Sequence, residues 1–370
     1  MSAWTLSIPE QMLFALLRAS LQETEVNTSS FSKAVAEDWK QCYRLACAQG
    51  VMALAWDGLC KLPSSLLPPL PVKLSWATGV EAYEKRYRRY CKTVDGLTRF
   101  YAGHGIATVQ LKGVGLSTLY PVPAHREGGD IDIYTYAADR TVLSDAEANR
   151  LADDLMRQQG LYVNTEHTPK HSLFYWRGIP VENHKTFLNV ERYRMALLVE
   201  QRLHALCQPQ EVALPDGAGR VWIPSPAFNT LFVAFHAVQH YGCGLSLHHL
   251  CDWACLLRRY GLLLAPEGWD ARFVRAIFAL TCLCNRLLGT QVPVPDDRGL
   301  ADRMLAEILH PRYGHELPSD NKLAILVFKA RRFFYHLRLR QEVLDEPLWT
   351  RLWQSFGAHL RHPDTIFKGG

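Results

Sequence analysis

The sequence predicts an α+β fold in which a few short strands lie between helical regions at either end. Three observations predict it. Residues 130–133 alternate acidic and apolar side chains, the mark of a half-buried strand, and strand-like runs recur at 106–111 and 172–184. Apolar residues before position 100 and after position 225 return at helical spacing. The chain has 370 residues and 48% hydrophobic content, enough for two or three packed units, which excludes a single small domain.

The first helix is announced by Ser7-Ile8-Pro9-Glu10, a capping box with proline inside the first turn, and Met12, Leu13, Leu16 and Leu17 follow at helical spacing. Gly50 ends a second helix that includes Trp39, Tyr43 and Ala46. Four prolines between positions 63 and 71 then break the pattern in a linker. The next helix interleaves basic and aromatic residues from Glu84 to Tyr90. Tyr83, Tyr87 and Tyr90 fall on one stripe, so they pack inward while the Lys and Arg side chains face solvent; the competing reading is a nucleic-acid or substrate-tail surface.

Residues 109–134 organise the chain. The buried strand at 106–111 stops at Lys112-Gly113-Val114-Gly115 before a short helical stretch. A strand, a glycine turn and a helix start expose backbone N–H groups that can cradle phosphate, and Lys112 adds a positive charge unless it is merely a solvated strand end. Asp130 and Asp132 share one face of the following strand while Ile131 and Ile133 anchor the other. Two like charges so close are costly without a cation between them, and a hard divalent ion with oxygen ligands is the usual answer. Arg126 either brings a second cation towards the phosphates or neutralises Glu127 or Asp130.

A helix over 146–159 ends at Gly160, and the basic run Thr168-Pro169-Lys170-His171 borders the site. A turn at Arg177-Gly178 joins two strand-like runs, the second placing Glu182 and His184 on one face and Val181 on the other. Residues 208–224 form a hairpin around Pro215-Asp216-Gly217. Ser225 and Pro226 open a helix that runs through His236 and His240 until Gly242 and Gly244, and Ser246 caps another that carries His249, Cys251, Asp252 and Cys255. Residues 269–288 and 323–360 read as further helices, with an arginine-rich segment at 331–340 exposed on one side.

Charged residues are 21% of the chain and the net charge is only +5, which permits a phosphate-bearing ligand without demanding nucleic acid. The ten cysteines contain no Cys-x-x-Cys pair and read as reduced core thiols. With no signal-like start and no long apolar segment, the expected setting is soluble and cytoplasmic, without membrane contact.

Leu111-Lys112-Gly113, Leu119-Tyr120-Pro121, Arg126 and Gly129-Asp130-Ile131-Asp132 together resemble the bacterial uncharacterised nucleotidyltransferases of the DNA polymerase β-like superfamily. The run from Val181 to His184 fits that family's apolar-Glu-x-His pattern, and the pairing of an Ala-Phe-His helix with a Leu-x-Asp-Trp helix is similar as well. The resemblance implies a small mixed-sheet catalytic core over 101–207, an N-terminal helical region over 1–100 and a C-terminal hairpin and helical domain over 208–370. It implies two Mg²⁺ or Mn²⁺ ions on Asp130, Asp132 and Glu182, and phosphate contacts from Lys112, Gly113, Gly115 and Arg126. His184 is either a nucleotide contact or a packed strand neighbour.

The implied reaction moves a nucleoside monophosphate from a nucleoside triphosphate such as ATP to a hydroxyl on a protein, RNA or small molecule, releasing pyrophosphate. One departure stands out: the superfamily commonly carries Gly-Ser or Gly-Gly at the turn, and here position 114 is Val. Two rivals stay open. One is a nucleotide-binding regulatory protein that keeps the fold without turnover. The other is a metal on His236 and His240, completed by His249, Asp252 or Cys255, against which stands plain core or interhelix hydrogen bonding, since Ala237 leaves no His-Glu-x-x-His base.

Overall fold

The computed structural model describes residues 5–166, 168–190, 193–265, 267–314, 321–349 and 352–353. Helices α1 (Ile8–Gln22), α2 (Ala36–Ala48) and α3 (Met52–Leu59) open the chain, and α4 (Leu70–Ala102) is 33 residues long. The capping box of α1 is present, with the Ser7 N–H donating to Glu10 Oε2 at 2.7 Å. Gly50 follows α2 at φ +66°, a left-handed conformation that glycine adopts without steric penalty. Of the four linker prolines, Pro71 lies inside the first turn of α4, where its missing N–H costs nothing.

A four-stranded sheet follows, built from β1 (Ile106–Gln110), β2 (Ile131–Ala137), β3 (His171–Trp176) and β4 (Ile179–His184). Its order is β1-β2-β4-β3; β2 and β4 run parallel and the other neighbours antiparallel, so the sheet is mixed and the fold α+β as the sequence predicts. The short α5 (Val114–Ser117) lies between β1 and β2, and α6 (Asp145–Gln158) follows β2. One apolar cluster joins Ile131 and Ile133 of β2, Val181 of β4 and Phe174 of β3 to Ala148, Ala152, Leu155 and Met156 of α6, which closes the back of the sheet. The β3–β4 turn has Arg177 at φ +54° and Gly178 at φ +74°, the two positive values that a tight hairpin requires.

Beyond the sheet come α7 (Arg194–Leu206), the hairpin strands β5 (Gln210–Ala213) and β6 (Arg220–Ile223), then α8 (Pro226–His240), α9 (Leu247–Tyr260), α10 (Ala271–Leu283), α11 (Arg298–Leu309) and α12 (Lys322–Val343). The predicted Ser225 cap holds: its Oγ accepts from Phe228 N at 3.2 Å. Leu214 and Val221 of the hairpin region pack with the sheet, while α1 to α3 share a single core with α8 to α11. Five cysteines are buried and none is paired, but Cys47, Cys60 and Cys243 are exposed, so the core-thiol expectation holds for only part of the set. Arg340, expected on the exposed arginine face, is instead buried and paired with Glu346 at 3.5 Å. The helical expectation for residues 350–360 lies outside the described residues apart from 352 and 353. Among the described residues, no helix is long and apolar enough to cross a membrane.

Candidate functional site

The site forms where parallel strands β2 and β4 place Asp132 directly beside Glu182. Asp132 is buried, and both of its oxygens are engaged. Lys112 Nζ lies 3.1 Å from Oδ2 and His184 Nε2 lies 2.9 Å from Oδ1. His184 also approaches Glu182 Oε2 at 3.5 Å, and His171 of β3 reaches the same oxygen at 3.4 Å with its ring stacked on that of His184. Oxygen and nitrogen atoms of Asp132, Glu182 and His184 fall within 4.8 Å of one another, a grouping able to hold a metal ion. Asp130 stands just before β2, outside this tight group yet within its field.

The electrostatics follow from this crowding. Burial and then the neighbouring Asp132 push the Asp130 carboxyl up to about 6, with Lys112 opposing. Burial would also raise Asp132, but Lys112 and His184 overrule it and hold that carboxyl well below the usual range. Burial works against Glu182 as well, and the His184 contact leaves it lowered. Burial would strip the Lys112 proton, but Asp132 and Asp130 keep its pKa raised. Lys170 is shifted the other way, down, by burial and by Lys112. That lysine belongs to the run expected to border the site, and it does so.

The glycine turn is more specialised than the sequence suggests. Gly113 has φ +54° and ψ −123°, which an L side chain rarely tolerates. Gly115 faces elsewhere: a Cβ there would come within 2.7 Å of Ile223 Cγ2 on β6, and its N–H donates to Lys112 O at 3.0 Å. It is therefore a packing glycine. Ser117 is buried, donating to Val114 O at 2.6 Å and lying 2.9 Å from Tyr87 Oη, so its hydroxyl does not replace the one missing at Val114.

The carboxylate that Arg126 pairs with is neither Glu127 nor Asp130. Arg126 Nε and Nη2 clamp Asp252 of α9 at 2.8 and 2.7 Å, while Nη1 donates to Glu127 O at 2.9 Å and Gly113 O at 3.3 Å. Tyr120 completes the arrangement by donating to Asp252 Oδ1 at 2.7 Å. His184 is fully buried behind the carboxylates, with Nδ1 3.2 Å from Thr186 O. The α4 tyrosines do pack inward. Tyr90 donates to Gly129 O at 2.5 Å and Tyr83 to Glu127, clipping the loop that carries Asp130 onto the helix. Arg86, expected in solvent, is half-buried and lines a pocket with Tyr83, Tyr87, Gly113 and Asp130.

Behind the sheet lies a polar network that sequence reasoning missed. Asn183 alternates with Glu182 on β4 and is fully buried. Its Nδ2 donates to Asp153 of α6 at 2.9 Å, and its Oδ1 accepts from Thr135 at 2.8 Å and from Asn149 at 3.1 Å. Asn149 also donates to the His184 carbonyl at 2.8 Å, fixing the end of β4. The three polar residues on one face of α6 and β4, at positions where the pattern calls for apolar ones, were the available signal.

The predicted histidines of α8 and α9 converge. Atoms able to ligate on His236, His240 and His249 lie within 4.8 Å of one another. The rings pack against one another and His249 hydrogen-bonds Ser246, as the core reading expects, while among the described residues no hydrogen bond reaches the ring of His236 or His240. Burial drives the pKa of all three down, that of His240 to about 4, assisted in each case by the charge of Lys112. Asp252 is committed to Arg126, and burial pushes the Cys255 thiol far up, so neither completes the set.

A family model described as "Uncharacterised nucleotidyltransferase" matches residues 36–289. Among solved structures, the chain is similar to an antigenic nucleotidyltransferase-like protein from Paracoccidioides brasiliensis, with 12% identity, 55% of this chain and 94% of that chain covered, and a TM-score of 0.34. No curated protein matches the chain.

Proposed function

Because the chain belongs to the uncharacterised nucleotidyltransferase family, we propose that it transfers a nucleoside monophosphate from a nucleoside triphosphate such as ATP to a hydroxyl acceptor, releasing pyrophosphate. The observation that carries this reading is the in-register pairing of Asp132 with Glu182 on parallel strands, with Asp130 at the strand entrance. The donor set suits Mg²⁺ or Mn²⁺: it is rich in carboxylate oxygen, and burial together with the neighbouring Asp132 raises the Asp130 carboxyl. Asp130, Asp132 and Glu182 would hold two such ions, which when bound supply neutralisation of the triphosphate and of the leaving pyrophosphate and acidify the acceptor hydroxyl.

The remaining work falls to the chain itself. Lys112 is held at the site by Asp132 and offers its ammonium to phosphate oxygens that compete for it. Gly113 lets the backbone turn sharply without a Cβ beside the phosphates. Arg126 positions that turn through the Gly113 carbonyl, and His184 fixes the Asp132 carboxylate from behind. Gly115 seats the turn on β6.

The test is Glu182→Gln. Triphosphate affinity by calorimetric titration stays near that of the wild type, while single-turnover pyrophosphate release, assayed with protein, RNA and small-molecule acceptors, falls on the order of a thousandfold. Unchanged turnover removes Glu182 from the site. Tight nucleotide binding without turnover in the wild type, across all acceptors, overturns the enzyme reading in favour of a regulatory nucleotide-binding protein.

A further inference from the structure

The histidine triad shares no residue with the carboxylate group. The rings of His236 and His240 are 4.5 Å apart between centroids, those of His240 and His249 4.7 Å, and those of His236 and His249 5.4 Å. Each neutral ring brings one nitrogen lone pair, and three imidazoles whose nitrogens lie within 4.8 Å of one another are a ready ligand set. No carboxylate joins the group, and the rings of His236 and His240 take no hydrogen bond among the described residues.

We propose that His236, His240 and His249 form a second metal site, selective for a zinc-class transition-metal ion and chemically distinct from the oxygen-donor site on β2 and β4. The helix geometry favours it. His236 and His240 are one turn apart on α8 and therefore share a face, and His249 enters from the first turn of α9. An all-imidazole set suits zinc, cobalt, nickel or copper and disfavours magnesium, which prefers oxygen. A tetrahedral ion about 2.0–2.1 Å from each nitrogen asks for nitrogens roughly 3.4 Å apart, so the observed grouping closes with side-chain rotations of about an ångström.

A partner for the second nitrogen of His249 is within reach: Ser246 Oγ lies 3.0 Å from its Nδ1, and 2.8 Å from Nδ1 of His248. When His249 Nδ1–H donates to that hydroxyl, Nε2 is left as the ligand atom. In the structure the Ser246 N–H donates to this same Nδ1 at 3.2 Å, so ligation through Nε2 exchanges that capping bond for the hydroxyl contact. Three protein ligands leave a fourth position open, as in catalytic rather than structural zinc sites. A water or an anionic oxygen can take that position.

The inference does not depend on nucleotidyl transfer, and its test keeps the two apart. The full chain is stripped with chelator and titrated with Co²⁺ in the presence of excess Mg²⁺. The expected result is one equivalent bound, with the intense visible bands of a tetrahedral nitrogen-ligated ion, and binding weakened at least about a hundredfold in His240→Ala and His249→Ala but unchanged in Glu182→Gln. X-ray absorption of the zinc-loaded wild type, which requires no variant to fold, shows scattering from three imidazoles. Absence of the bands, a thiolate-to-cobalt absorption, sulfur scattering, or loss of the site in Glu182→Gln each overturns the proposal.

Discussion

Asp130 sits partly buried in the field of two further carboxylates, Asp132 and Glu182. Its carboxyl is pushed up to about 6 from an ordinary value of 3.8, chiefly by burial and by Asp132. A raised carboxyl penalises the ionised folded state, so the cost is absent below about pH 4, grows through pH 6 and is full above it. Asp130→Asn removes the penalty. In chelator-containing buffer the variant therefore melts above the wild type at about pH 8 and level with it near pH 4, while Mn²⁺ binding with nucleotide is lost. A lower melting temperature at about pH 8 makes Asp130 a structural carboxylate instead. The acids themselves were legible because strand alternation shows in three or four residues. Arg126 was legible as a cation, but its partner was not: Asp252 is 126 residues away, and no local pattern encodes a contact across that distance.

At the level of elements, β4 is held from two sides, with Glu182 and His184 towards the carboxylates and Asn183 towards α6. Asn183→Ala strands donors and acceptors on Thr135, Asn149 and Asp153 in a dry layer, and costs about 1–3 kcal/mol by urea unfolding. Because Asn149 also pins the His184 carbonyl, nucleotide-dependent Mn²⁺ affinity falls in the same variant. Stability within about 0.5 kcal/mol of wild type shows that the network is not closed as described. The β3–β4 hairpin was legible from Arg177-Gly178, and α8 from its Ser-Pro start. The reading passes over α7, whose leading residue Tyr193 makes no side-chain cap, so the start signal is missing. It also passes over α11, although Asp297 caps that helix by accepting from Leu300 N at 3.0 Å. The prolines just before Asp297 favour a loop reading there.

Across the whole molecule, the sheet and the helical unit meet through Arg126 and Asp252, a bidentate pair with side chains only 9% and 8% exposed. Removing one partner leaves a buried charge alone, so Arg126→Met or Asp252→Leu costs about 3–5 kcal/mol, and the double variant recovers a large part of that loss. Strictly additive single and double effects in chemical unfolding show that the pair does not join the two units. The broad plan of helices, sheet and helices was legible from periodicity. The sharing of one core by α1 to α3 and α8 to α11 was not, since apolar pattern tells which face is buried but not against what.

Helix α4 adds a mechanical consequence. Its first half, at Val72, Trp76 and Val80, belongs to the helical core, and its second half, at Tyr90, Val94, Leu97 and Tyr101, to the core beneath the sheet. At 33 residues it is a rod of roughly 50 Å, and after Pro71 it contains no proline to act as a joint. A swivel between the two halves of the protein would have to bend this rod. The cheaper way to admit a substrate is to unclip the loop that Tyr83 and Tyr90 fasten to its side, so that entry works like a latch along a fixed rail and not like a jaw opening on a hinge.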